Sequence, residues 1–211
     1  MVKQARAVRT REKLVKALET LLRERNFDGI AVSEIAAEAG VAVGSVYSHF
    51  RNKEAFMEAL LDEREVRLKE RLVQVDPVQS RQVLAELGSL RAAIDMVVET
   101  AFEQVRADAP LIRATHNYSA LHGGERKKQW VALERQGSEG LSILFDLYKE
   151  EIKHRNRDLA IRFFMQTINS FFLAYCLDED FAKYAGTKRL TDREITDQLA
   201  VMLHAWLTTP D

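Results

Sequence analysis

A single cysteine, Cys176, leaves this 211-residue chain unable to form an intrachain disulfide or a cysteine-based zinc site. Its neighbours Phe171, Phe172, Leu173, Ala174 and Tyr175 mark it as a small core residue rather than a nucleophile. Proline and glycine are scarce as well, at three and nine residues, and no stretch sustains an alternation of apolar and polar positions. Strands are therefore not expected, and the chain reads as all-α. No apolar run approaches the roughly 18–20 residues that span a bilayer, and the basic N-terminus leads into an amphipathic segment instead of a signal-like apolar one. A cytoplasmic protein without a membrane partner is expected.

Catalytic signatures are missing too. The chain has no HExxH, no phosphate-binding glycine loop and no nucleophile elbow. Its five histidines, His49, His116, His122, His154 and His204, show no metal-like spacing with carboxylates on one helix. The expectation is a protein that is not an enzyme and uses neither metal nor cofactor. With 31 basic and 32 acidic residues, the net charge of -1 gives no global attraction to nucleic acid. The distribution is uneven, however: residues 1–53 hold ten Lys or Arg against six Asp or Glu, so the basic surplus lies at the N-terminal end.

What the chain does contain is helical periodicity. Leu14, Leu18, Leu21 and Leu22 predict a first helix over about 7–25, and Asn26, Asp28 and Gly29 mark a turn. Val32, Ile35, Ala36 and Ala39 predict a short second helix stopped by Gly40. A third runs from Val43 to Phe50, with Val46 and Phe50 as its inward pair. Lys53 opens a long fourth helix that ends before Asp76-Pro77. A polar stretch near 76–88 precedes a fifth helix through Leu90, Ile94, Val97, Val98, Ala101, Phe102 and Val105, ended by Ala109-Pro110; a sixth spans about 110–121. His122-Gly123-Gly124 breaks the chain before a seventh helix through Trp130, Leu144, Phe145 and Tyr148. The segment 157–177 is apolar nearly all round, and Thr191 with Glu194 has the spacing of a capping box opening the last helix.

Two short helices joined by Gly40-Val41-Ala42 are the parts of a helix-turn-helix, whose second helix enters the major groove. Its outer residues are Val43, Gly44, Ser45, Tyr47, Ser48 and His49, small enough near the N-terminal end to approach base edges. Tyr47 and His49 can donate to phosphates, and Lys53 adds a cation at a helix start. Upstream, Lys3, Arg6, Arg9 and Arg11 form a basic arm suited to the DNA backbone or a minor groove.

The stretch from Gly29 to Phe56, and above all Ile35-Ala36, Ala39-Gly40-Val41 and Gly44-Ser45-Val46-Tyr47-x-His49-Phe50-x-x-Lys53, resembles the N-terminal domain of the TetR family of bacterial regulators. The resemblance covers roughly residues 7–60; beyond them only length and helical layout are similar. It implies that Val43 to His49 read an operator while Tyr47, His49 and Lys53 hold the DNA backbone. Three positions depart from the family pattern. Ala31 and Ala42 stand where the family usually has Thr and Ser, and each lost N-cap hydroxyl costs about 0.5–2 kcal/mol unless another group substitutes. Val43 stands where Lys is frequent, exchanging a charge for an apolar contact such as a thymine methyl.

The expected organisation is a helix-turn-helix domain over residues 1–53 and a helical ligand-sensing and dimerisation domain over 54–211. Reading a palindrome needs two helix-turn-helix units one DNA turn apart, so a homodimer is expected, paired through the last two helices. For a small, largely apolar effector the candidate lining is Phe102, Tyr118, Trp130, Phe145 and Tyr148, with Met96 and Met165. His116, Asn117, Gln166 and Asn169 are the candidate polar groups in largely apolar surroundings. The resulting expectation is a repressor released from double-stranded DNA by its effector. An activator or a regulator triggered by a partner protein would have the same fold.

Overall fold

The structure, a computed structural model, describes residues 2–73, 76–122, 140–177, 186, 188 and 190–210. Every regular element among them is helical: α1 (Val2–Leu21), a 3-10 turn (Phe27–Gly29), α2 (Val32–Glu38), α3 (Val43–Val46), α4 (Glu54–Val73), α5 (Pro77–Glu86), α6 (Leu90–His122), α7 (residues 140–147), α8 (Arg157–Leu177) and α9 (Asp192–Thr208). The all-α expectation holds, and the chain packs as two compact units.

The first unit comprises Met1–Glu70 and Pro110–Lys127. Leu14, Val15 and Leu18 of α1 bury against Ile35 and Ala36 of α2, Val46 of α3, and Phe56, Met57, Leu60 and Leu61 of α4. At about 1.5–3 kcal/mol for each large side chain removed from water, these residues hold the unit together. Phe50 stacks on Phe56, with ring centroids 4.0 Å apart, and fixes the chain between α3 and α4. The break in packing falls beyond residue 53 because α1, α2 and α3 cannot close this core without α4 and without Leu111, Ala114 and Tyr118 of α6. The expected basic arm is helical, forming the first turns of α1.

In the second unit, Leu90, Ile94, Val98 and Phe102 of α6 meet Leu144 and Phe145 of α7, Phe164, Ile168 and Phe172 of α8, and Leu199 and Leu203 of α9. The capping box is present: Thr191 N–H donates to Glu194 Oε2 at 2.7 Å, and Glu194 N–H donates to Thr191 Oγ1 at 3.2 Å. Cys176 is buried, as its neighbours suggested.

The number of helices differs from the periodicity at two places. The polar stretch after residue 76 is the helix α5: Asp76 accepts from Val78 N–H at 2.8 Å, and Pro77 occupies the first turn, where its missing N–H costs nothing. The fifth and sixth expected helices are one, because α6 runs through Pro110. Proline inside a helix costs about 3 kcal/mol. Here Phe102 and Val98 are buried before it and Leu111, Ala114 and Tyr118 after it, so burial on both sides outweighs the loss.

Candidate nucleic-acid interface

The turn between α2 and α3 is built by hydrogen bonds that only a left-handed residue allows. Gly40 has φ 67°, its N–H donates to the Ala37 carbonyl at 3.1 Å, and Val41 N–H donates to the Ala36 carbonyl at 2.9 Å. These two bonds close α2 in a Schellman arrangement and turn the chain toward α3. The Val46 side chain on α3 is fully buried and Phe50 nearly so, which orients the opposite face outward. On that face Val43 (42% exposed), Gly44, Ser45, Tyr47 (59% exposed) and Ser48 all reach solvent, and His49 is half-buried. Regular helix ends at Val46, and hydrogen-bonded turns carry the backbone to Phe50, with His49 N–H and Phe50 N–H both donating to the Val46 carbonyl at 2.8 and 3.0 Å. Ser48 Oγ donates to the Ser45 carbonyl at 2.6 Å.

The missing hydroxyl at Ala31 is replaced in part. Glu34 Oε2 accepts from Ala31 N–H at 2.7 Å, and Glu34 Oε1 accepts from Arg25 Nη1 at 2.5 Å. The Arg25 hydrogen bond, together with the one from the Ala31 backbone, lowers the Glu34 carboxyl below the ordinary value. Arg25 also donates to the Gly29 carbonyl, so one guanidinium clamps the turn that leads into α2. Sequence periodicity does not reveal this clamp, although Glu34 three residues after Ala31 has half of a capping-box pattern. Ala42, by contrast, caps α3 without any side-chain hydrogen bond.

Lys53 is held by its own unit. Its Nζ donates to the Asp28 carbonyl at 3.1 Å and lies 4.4 Å from the centroid of the Phe27 ring. Asn52 rather than Lys53 supplies the side-chain cap of α4, accepting from Ala55 N–H at 3.1 Å. Arg11 covers the Phe50 ring at 5.0 Å, and Arg6 and Arg9 are exposed.

The candidate effector-binding residues are divided. Phe102, Phe145 and Tyr148 are buried in the core of the second unit, with Met96 and Met165 partly buried against it. Tyr148 donates to the Leu84 carbonyl at 2.5 Å, and burial raises its hydroxyl pKa above the ordinary range. Asn169 is half-buried, but Gln166 is exposed and donates to Ser170 Oγ at 2.9 Å. Tyr118 instead joins the core of the first unit, and Asn117 lines a cleft of about 390 Å³ there with Tyr118, Asn26, Phe27 and Asp28. His116 and Asn117 are exposed, which corrects the apolar surroundings expected for them and for Gln166. The helix turns these three outward while their apolar neighbours fill the cores. Trp130 lies outside the described residues.

Residues 14–60 match the model of the family described as "Bacterial regulatory proteins, tetR family". Over 94% of the chain the fold also superposes on a tetR-family transcriptional regulator from Streptomyces coelicolor, covering 80% of that protein with a TM-score of 0.65 at 21% identity. Residues 14–60 are thus similar to the N-terminal domain of TetR-family regulators, and the fold as a whole is similar to that of solved members. Among curated relatives, the A-factor receptor protein of Streptomyces griseus is 41% identical over 64 residues, which are 30% of this chain and 23% of that protein. The repressor NemR of Escherichia coli is 39% identical over 66 residues, 31% of this chain and 33% of its own. The match thus spans about a quarter to a third of the length of these relatives. FadR of Bacillus subtilis, solved with stearoyl-CoA, shares the fold over 92% of this chain and 98% of its own with a TM-score of 0.56 at 17% identity.

Proposed function

We propose that this protein is a homodimeric transcriptional repressor of the TetR type that reads a palindromic DNA operator through α3 and is released by a small, largely apolar effector. The observation that carries the reading is the outward face of α3, where Val43, Gly44, Ser45, Tyr47 and Ser48 are all exposed while Val46 and Phe50 anchor the segment to the core. Small residues at the start of this face let the backbone approach base edges. Tyr47 and His49 reach phosphates on either side, and Lys53 supplies a cation at the start of α4.

Pairing is assigned to α8 and α9. Beside its buried stripe, α8 exposes Leu159, Phe163 and Phe171, and α9 exposes Val201 and Met202. Phe163 touches Trp206, ring centroids 4.7 Å apart, so the two helices share one outward apolar surface. A second copy covering that surface would remove it from water and bring two α3 segments to neighbouring turns of a duplex. No helix among the described residues is long and apolar enough to cross a membrane, and the DNA target places the proposed role in the cytoplasm.

The test is selection of bound sequences from random duplex DNA by the full chain, followed by a screen for compounds that release the selected duplex. Enrichment of a palindrome supports the reading, and binding without preference over bulk DNA at moderate salt overturns it. A footprint overlapping the polymerase site separates repression from activation.

A further inference from the structure

We propose that Tyr118 is a positioning residue for DNA binding, acting on Lys53 through the ring of Phe27; the inference rests on the DNA-binding reading above. Tyr118 lies on the part of α6 that packs into the first unit, far in sequence from the helix-turn-helix. Its ring meets Phe27 edge-on, with centroids 5.4 Å apart and planes at 83°, and both rings are more than nine-tenths buried. Its hydroxyl donates to Glu58 Oε1 of α4 at 3.2 Å, while burial of the ring holds it against Phe27. The same Phe27 ring also meets Lys53, whose ammonium sits 4.4 Å from its centroid and donates to the Asp28 carbonyl.

The chemistry explains why that placement matters. An ammonium carries three donors and no acceptor. The Asp28 carbonyl takes one donor, and an aromatic face attracts the cation as a charge without using up a directional hydrogen bond. Donors therefore remain for a phosphate oxygen, while the long lysine side chain has already been confined at the start of α4, where the helix dipole favours an anion. Tyr118 sets the Phe27 ring, Phe27 sets the ammonium, and Lys53 meets the phosphate with little further ordering. The Arg25 clamp on the Gly29 carbonyl holds the same turn at its far end, so the Asp28 carbonyl has little room to follow a displaced ammonium.

The experiment uses the full chain and its selected duplex, with affinity measured over a range of salt concentrations. Lys53→Ala should weaken binding about tenfold and lower the salt slope by about one, the signature of one lost phosphate contact. Tyr118→Leu, which keeps apolar volume but loses the ring, should reproduce both effects, and Tyr118→Phe, which keeps the ring, should retain the wild-type slope. In Tyr118→Leu with Lys53→Ala, binding should be no weaker than in Lys53→Ala alone. If Tyr118→Leu does not fold, Phe27→Leu removes the ring beneath the ammonium and carries the same expectations. A wild-type slope in Tyr118→Leu or Phe27→Leu, losses that multiply in the double variant, or an unchanged slope in Lys53→Ala overturns the proposal while leaving the DNA-binding reading in place. A wild-type chain that binds no duplex overturns both.

Discussion

Arg67 of α4 holds the buried carboxylate of Glu19 on α1 at 3.4 Å. The partners are unequally placed: the Glu19 side chain is 7% exposed and that of Arg67 41%. Lys16 and Arg23, on the same helix as Glu19, approach the carboxylate at 3.4 and 3.8 Å. Removing the cation by Arg67→Met leaves a buried charge less well satisfied and should cost about 1–3 kcal/mol. Removing the carboxylate by Glu19→Met leaves cations that can rehydrate and should cost less than about 1 kcal/mol. Urea unfolding of both variants checks the order, and equal losses would contradict the assignment of the carboxylate as the more dependent partner.

Gly40 is the residue whose backbone the helix-turn-helix cannot exchange. At φ 67° a Cβ meets nothing within 4 Å, so the cost of Gly40→Ala is conformational and not steric crowding by neighbours. The expected loss is about 1–2 kcal/mol. A calorimetric midpoint unchanged from wild type would show that the turn can form without the left-handed conformation.

Tyr47 is mostly solvent-exposed, so Tyr47→Ala should leave thermal stability within about 0.5 kcal/mol of wild type. On the proposed reading it should weaken operator binding by about 1–3 kcal/mol, and changes at Val43 or Ser45 should alter the preferred bases. Duplex affinity and repeated selection measure the two effects; full affinity in Tyr47→Ala together with an unaltered site in the other variants would remove these residues from the interface.

Phe163, 50% exposed, lies against Trp206 on the outward surface shared by α8 and α9. A buried, unpaired carboxylate is costly, so on the proposed pairing Phe163→Glu should raise the dimer dissociation constant by more than about tenfold with the helical content intact. Sedimentation across a concentration series reads this, and an unaltered dimer would locate pairing on another surface.

Glu34 gives a pH dependence of definite sign. Its folded pKa lies below the ordinary value because Arg25 and the Ala31 N–H stabilise the charged form. The contribution to stability is therefore complete above the unfolded carboxyl pKa of about 4.3 and disappears as pH falls through the lower folded value. The urea midpoint of Glu34→Gln should lie below wild type at pH 7 and converge with it on acidification toward pH 3. A gap that widens on acidification would reverse the assignment.

Much of the candidate interface was legible because its determinants are local. The stop at Gly40 follows from one residue's torsional freedom, the inward pair Val46 and Phe50 from a spacing of four, and the Thr191–Glu194 cap from a spacing of three. The same locality carried the all-α reading and the outward set from Val43 to Ser48. Helix α5 was legible in principle, since Asp76-Pro77 is a start signal, but its polar composition obscured the period.

Tertiary structure alone decided which core each apolar face joins. Pro110 reads locally as a terminator, yet α6 continues because distant partners bury residues on both sides of it. Tyr118 reads as a sensor residue, yet it packs with Phe27, and Lys53 reads as a free cation, yet it is engaged by Phe27 and Asp28. The physical reason is the range of the forces. Torsions, caps and helix faces are set within a few residues, whereas burial depends on surfaces that meet only after the chain has folded.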